Sequence, residues 1–357
     1  MSTRYTADSL INCAKSLCLH SGMSDECAHD VATVLLEGDL LGHDTHGLIL
    51  LKPYLDAIKR GDMLGHGDFE ELSARPAVAN WDGKFLPGPY LTLRAIETAT
   101  KMAKQYGTGN IVIRRSSHIG ALAAYLEKPA RLGFLVQIVC SDPSVAHVAP
   151  FGGTQPLFTP NPMAWGIPTS NDPIMIDISA STTTVGMSAR LHQSGKTGEH
   201  DWWLDSAGKP CNNPSVIFQN PPGSLLPLGG LNAGHKGFGL ALFVEALTSG
   251  LTGSGRADAV DIWGANVSVQ VTDIEAFGKT KSFHRQMDHL VEQCVTNKRA
   301  SPENPVRVPG QRGLAYKREQ LEKGVLLNEA IVPSLQEMIT QSGAESPLVA
   351  RLAVDRP

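Results

Sequence analysis

The chain has 357 residues, 42% of them hydrophobic and 18% charged, so it can bury a large core rather than remain disordered. Its formal net charge of −4 argues against nucleic acid as the main partner, because phosphate binding requires a basic surface. The apolar runs are far shorter than the roughly 20 residues that span a bilayer, so we expect no membrane partner. The first residues lack the layout of a signal peptide, and six scattered cysteines without a CxxC pair fit a reducing, cytoplasmic location.

The N-terminal part of the chain carries a helical pattern. Ser24 is suited to cap a helix, and apolar residues recur on one helix face over 28–35. A further helix is predicted after His46, ending near Arg60. Pro89 suits the first turn of a later helix.

The middle of the chain is rich in predicted strands, which are short apolar or β-branched runs bounded by Gly, Pro and Ser: 77–81, 110–114, 134–140, 174–178 and 267–274. Further helices are predicted at 120–132, at 237–250 and from about 283 onward. Helices at both ends around a strand-rich middle favour an α+β fold over alternating βαβ units. No GxGxxG segment follows a strand and opens a helix, so a standard Rossmann domain is not expected.

Two histidines, His43 and His46, stand three residues apart near the start of a predicted helix. In one interpretation, Asp44 or Thr45 caps that helix and the histidines have only local partners. A zinc site is a second interpretation, but two histidines are too few, and no Glu or Cys stands at a ligand spacing nearby. The third is general acid/base catalysis, because histidine titrates near working pH.

Three other segments combine polar residues with an element boundary. His118 follows a predicted strand and precedes a helix, a place where binding and catalytic groups concentrate, although a helix-capping serine beside an incidental histidine is the alternative. Asp142 follows the next strand and can orient an imidazole or cap a turn. Lys236 lies among glycines at the start of an apolar helix, which suits an anion; a glycine-rich turn with a solvated lysine is the alternative.

Six segments, in order and over almost the whole chain, resemble one family: the malate/L-lactate dehydrogenase-like, or L-sulfolactate dehydrogenase-like, oxidoreductases. That family includes hydroxycarboxylate dehydrogenase B and ureidoglycolate dehydrogenase. The segments are 42–47 (D-S-H-G in the family), 116–120 (S-x-H-x-G), 150–162 (P-x-G-G…G-T-N-P), 177–181 (D-M-A-T-S), 226–240 (leading into G-H-K-G-[YF]-G-L) and 308–310 (P-G).

The resemblance implies an α+β, non-Rossmann nicotinamide-binding fold of the L-sulfolactate dehydrogenase-like type. We expect a mainly antiparallel central sheet, with a helical part formed by residues 1–75 and 285–357 and a cofactor-binding and catalytic sheet domain at 76–284. It further implies a homodimer with its active site near the subunit interface. The expected activity is interconversion of a 2-keto acid and a 2-hydroxy acid by hydride transfer, with NAD or NADP as cofactor and no metal.

Position by position, the resemblance assigns catalysis to His46, His118 and Asp142, with His46 as proton donor or acceptor and His118 as its rival. The residues expected to contact the substrate are Thr45, Ser117 and Arg190. The residues expected to line the dinucleotide site are Ser141, Asp177, Ile178, Ser179, His235, Lys236, Gly237, Pro309 and Gly310.

The sequence departs from the family at two places. Leu50 stands where many members have an arginine that binds the substrate carboxylate, a charge-assisted bond worth roughly 1.5–3 kcal/mol. We therefore expect a substrate with a larger or more apolar side group, its carboxylate bound by another group such as Arg190 or Thr45. Thr159-Pro160 also replaces a Gly-Thr pair, which is expected to reshape the cofactor loop.

Other functions stay open at this point. A cyclic imine (Δ1-piperideine-2-carboxylate-type) reductase is the main alternative, because the same site can protonate a nitrogen. From different classes, the chain is a nucleotide-binding protein without catalysis, or a metal hydrolase that uses His43 and His46.

Overall fold

The computed structural model describes residues 3–328, 331–344 and 350–351. The helices are α1 (Ala7–His20), α2 (Asp25–Leu40), α3 (Leu51–Arg60), α4 (Gly88–Tyr106), α5 (Glu127–Arg131), α6 (Val185–Gln193), α7 (Gly230–Glu245), α8 (Thr280–Val295), α9 (Gln311–Lys323) and α10 (Ile331–Ser342). The strands are β1 (Arg4–Tyr5), β2 (Glu70–Arg75), β3 (Val78–Asp82), β4 (Thr108–Ser116), β5 (Phe134–Ser141), β6 (Met163–Ile167), β7 (Ile174–Ile178), β8 (Trp203–Leu204), β9 (Pro210–Cys211), β10 (Ser224–Leu225), β11 (Ala265–Asp273), β12 (Val325–Leu326) and β13 (Ala350–Arg351). Within these described ranges, no helix combines the length and apolar character that crossing a membrane requires.

Capping residues set the limits of the N-terminal helices. The Thr6 hydroxyl accepts a hydrogen bond from the Ser9 N–H at the start of α1. The Ser24 hydroxyl does the same for the Cys27 N–H at the start of α2, which confirms the predicted cap. Helix α3 ends at Gly61, whose φ of +80° is a left-handed conformation that glycine adopts without strain.

Some predicted boundaries are wrong. The single helix predicted at 120–132 is a 3₁₀ turn, Leu122–Tyr125, followed by the short α5. The helix predicted from 237 starts at Gly230, where Gly229 takes a left-handed conformation, and it continues into a π-helical turn, Ala246–Gly250.

The central sheet has seven strands in the order β2-β3-β4-β11-β5-β6-β7. Strands β3 and β4 pair in parallel, whereas the other neighbours pair antiparallel, so the sheet is mixed. This corrects the expectation of a mainly antiparallel sheet. The physical reason is the 19-residue helix α4, which carries the chain back along the sheet so that β4 runs in the same direction as β3.

Apolar cores cover both faces of the sheet. Side chains alternate between faces along a strand, and β5 shows this directly. Val136 and Ile138 belong to a large cluster with α1, α2 and α4, whereas Val139 belongs to a second cluster that contains the fully buried Trp203 and Val244. The prediction of free, buried thiols is confirmed for four cysteines: Cys13, Cys18, Cys27 and Cys140.

One edge of the sheet gathers the segments that the sequence singled out. The first residues of β11, Ala265 and Asn266, pair with the last residues of β4 and β5, Ser116 and Ser141. Strand β7 ends at the same edge, because β5 and β7 are both antiparallel to the β6 between them. The segments after β4, β5 and β7 therefore lie near one another.

Candidate active site

His46 lies on a tight turn between α2 and α3. The His46 N–H donates to the His43 carbonyl at 2.8 Å, and the His43 N–H donates to the Gly38 carbonyl at 2.8 Å. The turn is thereby folded back onto the last turn of α2. The imidazole Nδ1 of His46 lies 2.9 Å from the Thr45 hydroxyl. The other ring nitrogen, Nε2, makes no hydrogen bond to the residues that the structure describes.

His118 follows β4 with its Nδ1 already engaged. The Tyr54 hydroxyl lies 2.8 Å from Nδ1, and the Gly120 N–H donates to the same nitrogen at 3.2 Å. A backbone N–H can only donate, so the contact with Gly120 favours the tautomer in which Nδ1 is unprotonated. The neutral imidazole of His118 therefore carries its proton on Nε2.

The two imidazoles belong to one stack of rings. The centroids of His46 and His118 lie 5.8 Å apart with planes 28° from parallel. Trp263 stacks on His118 at 4.7 Å and 27°, and Tyr54 meets the His118 ring edge-on at 6.0 Å. The structure therefore brings the two predicted catalytic histidines into a single site.

Burial keeps both histidines neutral. It lowers the pKa of His46 to about 4, and the neighbouring His43 acts in the same direction. Burial also lowers the pKa of His118 to about 3, with a smaller effect from His46. At pH 7 each ring can therefore offer a hydrogen bond without carrying a charge, until a ligand changes the environment.

Tyr54 and Trp263 are site residues that sequence reasoning missed. Tyr54 lies on α3 and is fully buried. Its hydroxyl lies close to both Nδ1 and the carbonyl oxygen of His118, at 2.8 and 2.9 Å, so its single proton serves one of these acceptors at a time. A tyrosine on the buried face of a helix that follows His46 was the available signal, because a buried hydroxyl needs a partner. Trp263 lies in an irregular segment before β11, where no sequence pattern marks it.

We expect Tyr54→Phe to lower kcat/KM by up to about tenfold, because one net hydrogen bond of ~0.5–1.5 kcal/mol to the His118 imidazole is lost. The Gly120 N–H still fixes the tautomer, so catalysis should be weakened and not abolished. The matched control is Tyr125→Phe, since the buried Tyr125 hydroxyl donates to the Ile119 carbonyl at 2.5 Å and makes no hydrogen bond to the His118 ring. Steady-state kinetics that show equal losses for both variants would assign Tyr54 a purely structural role.

Asp142 lies at the site edge with its carboxylate occupied. One oxygen accepts from the Ser144 N–H at 2.9 Å and from the Ser144 hydroxyl at 2.7 Å. The other accepts the Gly264 N–H at 3.1 Å, next to Trp263. Asp142 makes no hydrogen bond to His46 or His118 and instead anchors the segment that carries Trp263. Its predicted catalytic role stays a prediction.

The three residues predicted to contact the substrate differ in their hydrogen-bond partners. Thr45 is the one whose side chain is hydrogen-bonded to a site imidazole. The Ser117 hydroxyl is buried and accepts the Gly88 N–H at 2.7 Å, so it anchors the start of α4. Arg190 is exposed and pairs with the Asp44 carboxylate at 2.9 and 3.1 Å. Arg190 is thus bound to Asp44 through Nη1 and makes no hydrogen bond to His46 or His118.

Two of the segments predicted to bind the cofactor, 177–181 and 226–240, lie side by side. The Leu228 N–H donates to the Ala180 carbonyl at 2.8 Å, and the Gly237 N–H donates to the Leu228 carbonyl at 3.1 Å. A Cβ at Gly237 would overlap the backbone of both neighbours, so this approach requires glycine. His235 and Lys236 are exposed beside it. The phosphates of a dinucleotide need hydrogen-bond donors such as serine hydroxyls, backbone N–H groups and a lysine ammonium. The chemistry of this segment therefore suits a dinucleotide.

Strand β7 connects the remaining cofactor residues. The Met175 N–H donates to the Pro309 carbonyl at 3.1 Å, and a Cβ at Gly310 would crowd Met175. Two residues along the strand, Asp177 accepts the Ala123 N–H at 2.8 Å. Burial raises the Asp177 pKa, while nearby His43 lowers it. The Asp177 side chain therefore lies within electrostatic reach of the turn that carries His46.

The last residues of that strand are more open to solvent. Ile178 is exposed, and the hydroxyl of half-buried Ser179 donates to the Ser181 carbonyl at 3.2 Å. Ser141 differs, because it is fully buried with its hydroxyl 2.8 Å from that of Thr248. The Ser141 hydroxyl therefore presents almost no exposed surface to a cofactor in this conformation.

Across residues 3–328, 331–344 and 350–351, no three His, Cys, Asp or Glu side chains gather in a way that could hold a metal ion. The His43 and His46 pair thus has no third acidic, histidine or cysteine ligand in the described chain.

Comparison with known proteins places this chain in a family. Residues 5–336 match the family described as malate/L-lactate dehydrogenase. The malate dehydrogenase of Pyrococcus horikoshii is 29% identical over 333 residues, which cover 91% of each chain. The (2R)-3-sulfolactate dehydrogenase (NADP(+)) of Chromohalobacter salexigens is 30% identical over 315 residues, 87% of this chain and 90% of that one. The crystal structure of malate dehydrogenase from Entamoeba histolytica shares the fold, with a TM-score of 0.90 at 23% identity over 97% of this chain and 100% of that one. The chain belongs to the malate/L-lactate dehydrogenase family.

Proposed function

We propose that the protein is an NAD(P)-dependent oxidoreductase that interconverts a 2-keto acid and a 2-hydroxy acid, with His46 as the proton donor and acceptor. The observation that carries this assignment is the unequal bonding of two stacked imidazoles. His118 has its Nδ1 committed to a backbone donor, whereas His46 has its Nδ1 beside a hydroxyl.

The hydrogen bonds at Nδ1 suggest different catalytic roles for the two histidines. Full protonation of His118 would place a proton on Nδ1, where the Gly120 N–H already points, so His118 stays neutral and offers Nε2–H to the substrate oxygen. The Thr45 hydroxyl can donate or accept, so it can support His46 both as neutral imidazole and as imidazolium. Of the two rings, His46 is therefore the one whose bonding accommodates both protonation states, and an anionic substrate beside it would raise its pKa from the value of about 4.

A nicotinamide, when bound, supplies or accepts the hydride. As a keto carbon is reduced, its oxygen gains negative charge and must receive a proton. His46 would deliver that proton from Nε2 as the imidazolium and return to the neutral imidazole; in the oxidation direction the neutral ring would accept it. Lys236 would contribute its ammonium to a bound phosphate, with Ser179 on the neighbouring segment as a further hydrogen-bond donor. The ring of Trp263 over His118 keeps water from that face of the imidazole.

We propose that the substrate carries a larger or more apolar side group than malate. Leu50 is half-buried, packs on the main core and provides no charge for a second carboxylate. Trp263 leaves 37% of its surface exposed beside His118, which adds an apolar wall. The substrate carboxylate is then bound by Thr45, or by Arg190 after it leaves Asp44.

A cyclic imine reductase is the weaker alternative, because the malate and sulfolactate dehydrogenases above are named for hydroxy acids. The decisive experiment is a panel of 2-keto acids and cyclic imines, assayed with both NADH and NADPH. We expect turnover of keto acids, with higher kcat/KM for apolar side groups than for oxaloacetate. Cofactor fluorescence changes without turnover of any compound would indicate a binding protein and contradict the proposal.

We further propose that the protein forms a homodimer. Helix α7 exposes large apolar side chains that a monomer gains nothing by presenting to water: Leu231, Leu242 and Phe243. We infer that a second copy of the chain buries these side chains, since most soluble oligomers are symmetric homo-oligomers. Light scattering of the purified protein measures this directly. The two-part organisation and the cytoplasmic location stay predictions.

A further inference from the structure

A buried carboxylate holds the turn that carries His46. Asp39, near the end of α2, is 5% exposed, and its Oδ2 accepts the Leu48 N–H at 2.7 Å in a buried hydrogen bond. The Asp39 carbonyl accepts the Gly42 N–H at 3.0 Å and the Gln320 side-chain amide at 3.1 Å. One residue thus contacts the chain both before and after His46.

The fit around this carboxylate is close. A Cβ at Gly47, the residue after His46, would overlap both Asp39 carboxylate oxygens. A Cβ at Gly38 would lie 3.0 Å from the His46 carbonyl. Because close packing transmits small displacements, a shift of the Asp39 carboxylate moves the backbone on which the His46 ring stands.

The carboxylate also borders a cavity of about 410 Å³ behind the turn. The charged groups that line this cavity with it are Asp44 from the turn and Arg312 from α9; Tyr316 adds a hydroxyl, and β12 contributes only the apolar Leu326. Burial raises the pKa of Asp39 to about 7, Asp44 adds to the rise, and the Leu48 N–H opposes it. The cavity gives this carboxyl group a route to exchange protons with solvent.

We propose that Asp39 is the positioning residue for His46, and that its ionisation state sets how firmly the catalytic turn is held. The inference rests on the proposed function for its activity readout. An ionised carboxylate forms a hydrogen bond roughly twice as strong as a neutral acceptor does. When Asp39 gains a proton, its bond to Leu48 weakens and His46 Nε2 is less well placed, although no catalytic group has changed its charge.

The test compares Asp39→Asn with Asp39→Ala. Asparagine keeps the shape and can accept the Leu48 N–H without charge, whereas alanine removes the acceptor. We expect kcat at pH 8 to fall about 3–10-fold in Asp39→Asn and more than about tenfold in Asp39→Ala, following the loss of part or all of a charge-assisted bond. KM for the cofactor should stay unchanged. The decrease of wild-type kcat from pH 8 to pH 6 should be absent in Asp39→Asn.

The matched control is Asp30→Asn. Asp30 is also buried on α2, with a pKa that burial raises to about 6, but it pairs with Arg94 at 3.3 Å, away from the turn. We expect this variant to keep the wild-type pH profile of kcat. A profile that survives in Asp39→Asn, or that is lost equally in Asp30→Asn, would overturn the proposal.

A second readout does not depend on turnover. The folded protein holds a proton on Asp39 up to a pKa of about 7, and the unfolded chain releases it near its ordinary value of 3.8. Wild-type stability relative to Asp39→Asn should therefore decrease as the pH rises from about 4 to about 7. Urea unfolding that shows no such pH-dependent difference would exclude a buried, titrating Asp39. Wild-type protein inactive on every keto acid would refute the proposed function and leave this result interpretable.

Discussion

We expect His46→Ala to lower kcat for keto acid reduction by about 10²–10⁴-fold, the usual contribution of a positioned general acid or base. We expect KM for the cofactor to change little, because the hydrogen bonds of His46 in the described chain go to Thr45 and His43 and not to the segments expected to hold the dinucleotide. The reason for the large expected loss is that, in the proposed division of roles, His118 only offers a hydrogen bond and does not replace His46 in proton transfer. Single-turnover reduction followed by nicotinamide absorbance measures the step itself.

His118 provides the contrast that tests this division of roles. His118→Gln can still donate a hydrogen bond from its amide, so we expect it to retain more activity than His118→Ala. No such recovery is expected for His46→Gln, because an amide cannot transfer a proton at neutral pH. If His46→Ala turns over at a near-normal rate and His118→Gln is inactive, the roles are reversed.

Gly88→Ala should be the most damaging of the small substitutions near the site. A Cβ at this first residue of α4 would overlap the carbonyl oxygens of Ser117 and His118, and backbone atoms cannot swing aside as a flexible side chain does. Overpacking of this kind destabilises by about 1–3 kcal/mol or more. We expect a lower urea midpoint together with reduced kcat, because the displaced segment carries the His118 ring.

Gly239→Ala is the matched control for stability. Gly239 lies within α7, and a Cβ there would meet nothing within 4 Å. Replacing a helical glycine with alanine is expected to stabilise by roughly 0.5–1 kcal/mol. The two Gly→Ala changes should therefore act in opposite directions, and a stable, fully active Gly88→Ala would contradict the packing described at the site.

The strands that the sequence predicted share a strong local signal. β4, β5 and β7 are apolar or β-branched runs between turn residues, and their existence follows from that pattern alone. Strand β6 and helix α6 were missed, because Met163–Ile167 contains a glycine after a proline-rich stretch, and α6 is a short helix within a loop-like region. The parallel pairing of β3 and β4 depends on where α4 returns the chain, which no local pattern encodes.

The tertiary contacts of the site could not be predicted from local sequence patterns either. His46 and His118 were found through the order of the motifs, but nothing in their spacing predicts that their rings stack. The tautomer of His118 depends on one N–H from Gly120 and on the Tyr54 hydroxyl, which are tertiary contacts. Ser117 and Arg190 were chosen for chemical type, and their hydrogen bonds to Gly88 and Asp44 became visible only with the fold.

The position of β11 has a consequence for how the protein is made. This strand lies between β4 and β5 in the sheet, yet it follows them by more than a hundred residues in the chain. Until Asp273 has left the ribosome, β4 and β5 each present an unpaired edge that invites pairing with another chain. The histidine site is therefore assembled late in synthesis, and a chain cut before Ala265 would expose those edges and aggregate instead of forming a smaller enzyme.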